Sequence, residues 1–260
     1  MAGALRFEQG AEELSTRLAD ALPAGSVKFG VQVTGVHVQG DSVLVVAAGP
    51  AGDALVFPAQ AVIVALPPRL AEQTITFMPE LPPALTQVLS ATPTWMGHAM
   101  KAVVRYERAF WRAQGLSGFA ISYAGPLQEI HDASPADGGA GALFGFFTAH
   151  AEVRRAPRQE RQHLVMEQLG RLFGPAALLP RSYDEVDWTR ERLSSTAQDE
   201  APPKVFPAYG HTLLREPALD GRLFWAGAET SPLEGGLLEG AVQSGEHAAR
   251  LVLAGHTAQR

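Results

Sequence analysis

Between Gly221 and Leu253 the chain reads GRLFWAGAETSPLEGGLLEGAVQSGEHAARLVL. Leu223 to Ala226 is a short apolar run suited to a strand, and Gly227-Ala228-Glu229-Thr230 suits a tight turn. A glycine passage, Gly235-Gly236, leads to a helix starting near Glu239, where Ala241, Val242, Gly245, Ala248, Ala249 and Val252 permit close packing. Amides at a helix start lack intrahelical acceptors and favour a partly negative group beside them. Glycines at 235, 236 and 240 let a large flat body approach the backbone, and a cofactor edge bearing carbonyl oxygens suits that surface. An ordinary strand–loop–helix pair packed through small residues explains the same pattern, and short motifs do not separate the two.

Composition narrows the function classes. The 260 residues are 46% hydrophobic and 18% charged, enough for one large domain or two smaller ones. A net charge of −6 argues against nucleic acid or an anionic membrane as the main partner. No cysteine is present, so the chain offers no disulfide, cysteine nucleophile or thiolate metal site. His37, His98, His131, His150, His163, His211, His247 and His256 are scattered without ligand spacing, so no metal is expected. Met1 leads into Arg6, Glu8 and Glu12 rather than an apolar run, and no segment has the length and apolarity of a bilayer span. The expected compartment is cytoplasmic.

Spacing and punctuation place the elements. Leu14, Leu18 and Leu22 predict a helix over 11–22, with Gly25 beyond its end. The runs 26–38 and 43–46, with turns at Gly40-Asp41 and at 49–53, predict a β-meander. Ala61 to Ala65 is continuously apolar, which predicts a strand buried on both faces of a parallel sheet, ended by Pro67-Pro68. Further on, a helix is expected at 84–89, and strands at 100–106, 117–123, 126–131, 142–148 and 182–187. A helix over 158–173 follows Pro157 and stops before Gly174. A lysine inside an apolar strand, such as Lys101, is ordinarily an edge or snorkelling residue.

Taken together, several of these stretches resemble the flavin-containing amine oxidases, the monoamine and polyamine oxidase group. Ala226-Gly227-Ala228-Glu229-Thr230, Gly236-Leu237-Leu238-Glu239-Gly240-Ala241, Ser244-Gly245 and Ala248-Ala249 follow that family's C-terminal flavin-binding segment in order. Gln9-Gly10 to Leu14 is similar to its G-G-x-x-x-L helix entry, with Gln9 in place of the first glycine, and Ala61 to Pro68 to its V-I-x-A-x-P-P strand. Lys101, Tyr106, Phe110 and Trp111 reproduce its K-x-x-x-x-(Y/F)-x-x-x-F-W pattern. The resemblance implies an α/β (mixed) fold: a partial FAD-binding domain of the glutathione-reductase-like type at 1–70 and 206–260, around an inserted mixed-sheet substrate domain at 71–205. It implies non-covalent FAD, since a cysteinyl flavin link is impossible here, and an amine substrate oxidised by hydride transfer to the flavin with oxygen as acceptor. Val33, Gly227, Glu229, Thr230, Gly236, Leu238 and Glu239 would line the cofactor. Lys101 would hold a water near the flavin N5 and act in catalysis.

Two departures from the family pattern matter. The fingerprint G-x-G-x-x-G that carries the FAD pyrophosphate does not occur; Gly139 to Gly145 has the wrong spacing and setting. The expected reading is a fragment whose N-terminal FAD-binding half is supplied in cis or in trans; a homodimer and a lost cofactor are the other options. The facing aromatic pair of monoamine oxidases falls at Gln198 and Leu237, neither of which is aromatic. Rival readings are a protoporphyrinogen oxidase or carotenoid desaturase relative, and a cofactor-free binding protein. Lys101 favours the oxidase over the first rival.

Overall fold

Glycine turns at positive φ, Gly40 at 57° and Gly52 at 78°, reverse the chain twice and build the first sheet. In the computed structural model, which describes residues 7, 10–135, 139–148 and 151–258, helix α1 (Glu12–Asp20) comes first. The family-like entry residue Gln9 lies outside the described residues. Strands β1 (Gln32–Gln39), β2 (Ser42–Ala48) and β3 (Ala54–Ala59) then form the antiparallel meander. β4 (Val62–Val64) leaves that sheet, and α2 (Pro68–Thr74) starts on a proline whose missing N–H costs nothing at a first turn. β5 (Thr76–Met78) returns to pair in parallel with β1, and α3 (Pro83–Ala91) packs on α2.

The second sheet is antiparallel. It contains β6 (Met100–Tyr106), β7 (Ala120–Ile121), β8 (Leu127–Asp132), β9 (Gly141–Phe147) and β10 (Ser182–Asp187), in the order β10-β6-β9-β8-β7. Helices α4 (Phe110–Ala113), α5 (Ala151–Arg155) and α6 (Arg158–Phe173) accompany it. Met100, Ala102, Val104 and Tyr106 alternate inward from β6 and meet Val165, Leu169 and Phe173 of α6. Last, β11 (Leu223–Trp225) pairs in parallel with β4, and α7 (Leu238–Ala258) closes the chain.

Two main cores result. One lies between the second sheet and α6. The other gathers Val36, Val43, Val64, Ala71, Phe77, Leu89, Leu223 and Trp225 from the meander, β4, α2, β5, α3 and β11. A small third cluster seats Ala248 of α7 on Phe224 and Ala226.

Most expected elements are present, with three corrections. The first strand begins at Gln32 because Pro23 to Ser26 forms a turn instead. The strand expected at 117–123 shrinks to two residues, cut short by Gly118 at φ 75° and by the Ser122 hydroxyl, which donates to the Ala124 carbonyl. The stretch 61–65 is not buried on both faces: Ile63 is 40% exposed. Its neighbour in register, Phe224, is buried in the cluster that includes Ala248 of α7.

Candidate cofactor and substrate site

Parallel pairing brings the C-terminal ends of β4 and β11 side by side. The Ala226 amide donates to the Val64 carbonyl at 2.9 Å, so Ala65 and Gly227 leave the sheet together. Open α/β sheets bind ligands at this end of their strands. Gly227, at φ 128°, starts a closed loop. Its amide donates to the Ser244 hydroxyl (2.9 Å), and its carbonyl accepts from both the Thr230 amide (3.0 Å) and the Thr230 hydroxyl (2.9 Å). The Gly236 amide donates back to the Ala228 carbonyl at 3.2 Å. Gly227, Glu229, Thr230 and Gly236 are thus one compact turn, with Leu238 and Glu239 exposed on the first turn of α7. A Cβ at Gly240 would lie 2.1 Å from the Glu234 carbonyl oxygen, so glycine alone permits this helix entry. Burial pushes the Glu229 carboxyl above its ordinary range, and the nearby Asp199 charge adds to the effect.

Val33 sits at a bulge in β1 and lines a groove of about 630 Å³ with Val36, Ile63, Leu66 and Leu193. The groove therefore joins Val33 to the 62–66 stretch beside the Gly227 turn. An apolar groove beside a turn that Gly227 and Gly236 leave open to close approach fits an extended cofactor with a flat ring system.

Lys101 lies on the outer face of the second sheet, opposite the buried Met100 and Ala102. Its ammonium sits 4.8 Å from the centroid of Phe146, its cross-strand neighbour. Desolvation pulls its pKa below the ordinary lysine value. The row continues through Phe144, 5.7 Å from Phe146 edge-on, to His131, stacked on Phe144 at 4.8 Å. Phe119 closes it, 5.2 Å from His131. One sheet face thus carries a partly desolvated ammonium at the end of an aromatic row.

Sequence reasoning missed a second aromatic group. Trp95 and Phe206 stand 4.5 Å apart, and Phe206 and Tyr209 6.3 Å. The Trp95 and Tyr209 rings both lie against Gly236, where a Cβ would come within 3.2 Å of each. The Tyr209 hydroxyl donates to the Pro93 carbonyl at 2.9 Å. Asp199, buried, anchors the same loop: one oxygen accepts from the Thr94 amide (3.0 Å) and Arg69 (2.8 Å), the other from the Thr196 amide (3.0 Å) and hydroxyl (2.8 Å). Burial alone would raise its pKa; these donors outweigh it and hold the carboxyl below the ordinary range. Gln198 lines a separate small cleft beside Asp199, with Arg69, Thr94 and His98, while Leu237 follows Gly236 at the mouth of α7. Rings near Leu237 therefore come from Trp95 and Tyr209, far apart in sequence, which no local pattern announces. Among the described residues, no group of three or more His, Asp or Glu side chains is placed to hold a metal, and no helix is long and apolar enough to cross a membrane.

The site thus combines a parallel strand pair that ends in a glycine-containing turn with an antiparallel sheet that presents a lysine on its outer face. Residues 1–253 match the family described as flavin containing amine oxidoreductase, and the chain belongs to that family. Membership implies a flavin. The flavin-containing amine oxidase of Danio rerio is 35% identical over 254 residues, covering 95% of this chain and 47% of the relative. An L-amino acid dehydrogenase of Synechocystis is 34% identical over 194 residues, covering 74% of this chain and 40% of the relative. Among solved structures, wild-type putrescine oxidase bound to putrescine superposes with a TM-score of 0.79 at 26% identity, over 95% of this chain and 53% of that one. Cyclohexylamine oxidase from Brevibacterium oxydans IH-35A gives 0.77 at 26% identity, over 96% and 53%. The chain spans about half the length of these relatives.

Proposed function

We propose that this chain is the C-terminal part of an FAD-dependent amine oxidase, holding its flavin non-covalently. Residues 1–70 and 206–260 are assigned to the cofactor lobe and 71–205 to the substrate lobe, with α2, β5 and α3 packed on the cofactor side as a bridge. The observation that carries the reading is Lys101, a desolvated ammonium on the aromatic face of the substrate sheet, in a chain whose glycine turn suits a flat cofactor.

When bound, FAD supplies hydride acceptance from the amine C–H bond and, with oxygen as acceptor, yields hydrogen peroxide while the imine hydrolyses. The chain's own residues orient and polarise. Val33 and the 62–66 stretch form the trough for the extended part of the cofactor. Gly227, Glu229, Thr230 and Gly236 would hold the cofactor, with the amides of Leu238 and Glu239 at the start of α7 favouring its carbonyl oxygens. Lys101 holds a water close to the reacting edge of the ring and stabilises negative charge as it develops. By the family resemblance Gln198 and Leu237 take the positions of the paired rings, but Gln198 lines a separate cleft, and Trp95 and Tyr209, packed on Gly236, would supply the aromatic surface beside Leu237 instead.

An N-terminal FAD-binding half, in cis or in trans, completes the site. In support, the outer edge of β4 pairs with no strand among the described residues, which leaves a row of backbone groups for a further strand to pair with. The test is a visible absorption spectrum of the purified chain before and after adding FAD and desalting, repeated with the N-terminal half present. Flavin bands bleached by an amine without oxygen support the reading. A flavin-loaded protein that no amine reduces would overturn it.

A further inference from the structure

Behind the Gly227 turn lies a second cavity, of about 270 Å³, which shares no lining residue with the Val33 groove. Three elements wall it: the loop before β11 through Arg215, the turn through Thr230 and Ser231, and α7 through Ser244, His247 and Arg250. The exposed apolar residues of α7, Leu238, Val242 and Leu253, project roughly 100° round the helix from His247 and Arg250. Arg215 is exposed, and no carboxylate among the described residues pairs with its guanidinium. Its carbonyl accepts from His247 Nε2 at 3.0 Å, which ties the loop to α7. Arg250 meets Glu246, which also lines the cavity, at 3.5 Å; both side chains are largely exposed, so the pair contributes little. The lining thus carries two guanidiniums against one carboxylate, in a chain of net charge −6. The hydroxyls of Thr230 and Ser244 are already bonded within the turn and α7. Ser231 differs: it is 2% exposed, and its hydroxyl has no hydrogen-bond partner among the described residues. A buried hydroxyl in that state lacks the bond that protein, water or an ion normally supplies.

We infer that this cavity binds a free phosphate or phosphomonoester. The inference goes beyond the oxidase reading and does not depend on it. Guanidiniums arriving from two elements match a tetrahedral anion, whose several oxygens each accept charge-assisted bonds. Arg250 can exchange Glu246 for the anion, because their present pair is long and exposed. The Ser231 hydroxyl donates to a further oxygen and gains the partner it lacks. A carboxylate has only two oxygens in one plane, whereas these donors come from three elements.

Calorimetric titration of the purified chain with inorganic phosphate at fixed ionic strength, with and without FAD, tests this. Native protein should bind phosphate, and Arg215→Gln and Arg250→Gln should each weaken binding about tenfold, through loss of charge-assisted bonds. Arg171→Gln, which removes an exposed arginine on α6, should leave binding unchanged. Ser231→Ala should bind phosphate more weakly, yet unfold at a higher temperature than native protein when phosphate is absent, since it discards the unpartnered hydroxyl. No phosphate binding, or binding weakened equally by Arg171→Gln, overturns the site. Phosphate displaced by FAD overturns it as well, because the cavity would then belong to the cofactor. Glycerol phosphate that binds as inorganic phosphate does supports a free ligand. Phosphatidate vesicles that sediment the protein, while free phosphate gives no heat, overturn it.

Discussion

Lys101 and its motif partners divide the labour between the two faces of the second sheet. Tyr106, Phe110 and Trp111 meet edge-on, with centroids 5.0 to 5.8 Å apart, and Trp111 donates to Asp132 at 2.9 Å. They are core residues that seat β6, whereas Lys101 points out of the opposite face. Lys101→Met therefore leaves the packing intact and should slow flavin reduction or reoxidation about 100-fold, by analogy with loss of one preorganised charge-stabilising donor. Stopped-flow rates of the two half-reactions check it; unchanged values for both would remove the assigned role. Gly240 carries a steric demand instead. Since an added methyl would strike the Glu234 carbonyl, Gly240→Ala should cost about 1–3 kcal/mol, read by denaturant unfolding, and should weaken flavin retention.

The segment joining α3 to β6 is held by distant partners rather than by its own pattern. Asp199 ties Thr94 to Arg69 on α2 and to the 196 turn, and Tyr209 ties Pro93. Asp199→Ala leaves a buried guanidinium and several donors unmatched, and should cost about 3–5 kcal/mol. Because the native carboxyl is held below the ordinary range, near 3.9 in an unfolded chain, its contribution is complete above that value and is lost as pH falls through the native one. Unfolding titrations of native protein and Asp199→Asn should converge on acidification below about pH 4. Persistent separation at low pH would contradict this. The same contrast explains what was legible. Helix α6 is readable to the residue, since Pro157 and Gly174 mark its ends locally. The cluster of Trp95, Phe206 and Tyr209 was not, nor was Asp199, because long-range contact alone creates them. Lys101 and the Gly227 turn stood out through residue order, while the exposure of Ile63 depends on what packs over its face of the sheet, which a run of apolar residues does not record.

At the scale of the molecule, α2 and α3 belong to the second core, the 93–97 segment joins α3 to the first strand of the other sheet, and a groove runs beside β4. Its apolar lining should bind a hydrophobic dye such as ANS, and FAD together with the N-terminal half should suppress that fluorescence. Dye binding unaffected by a flavin-loaded complex would show that the groove is not the cofactor trough. The position of β6 carries a further consequence. It is flanked by β10 on one side and β9 on the other, so its backbone amides are laddered in both directions. Amide protons there should exchange with deuterium only when the whole lobe opens, more slowly than those of the two-residue edge strand β7. The lysine proposed for the reacting end of the site is thus borne by an interior strand, whose backbone should keep its direction while the surrounding loops breathe.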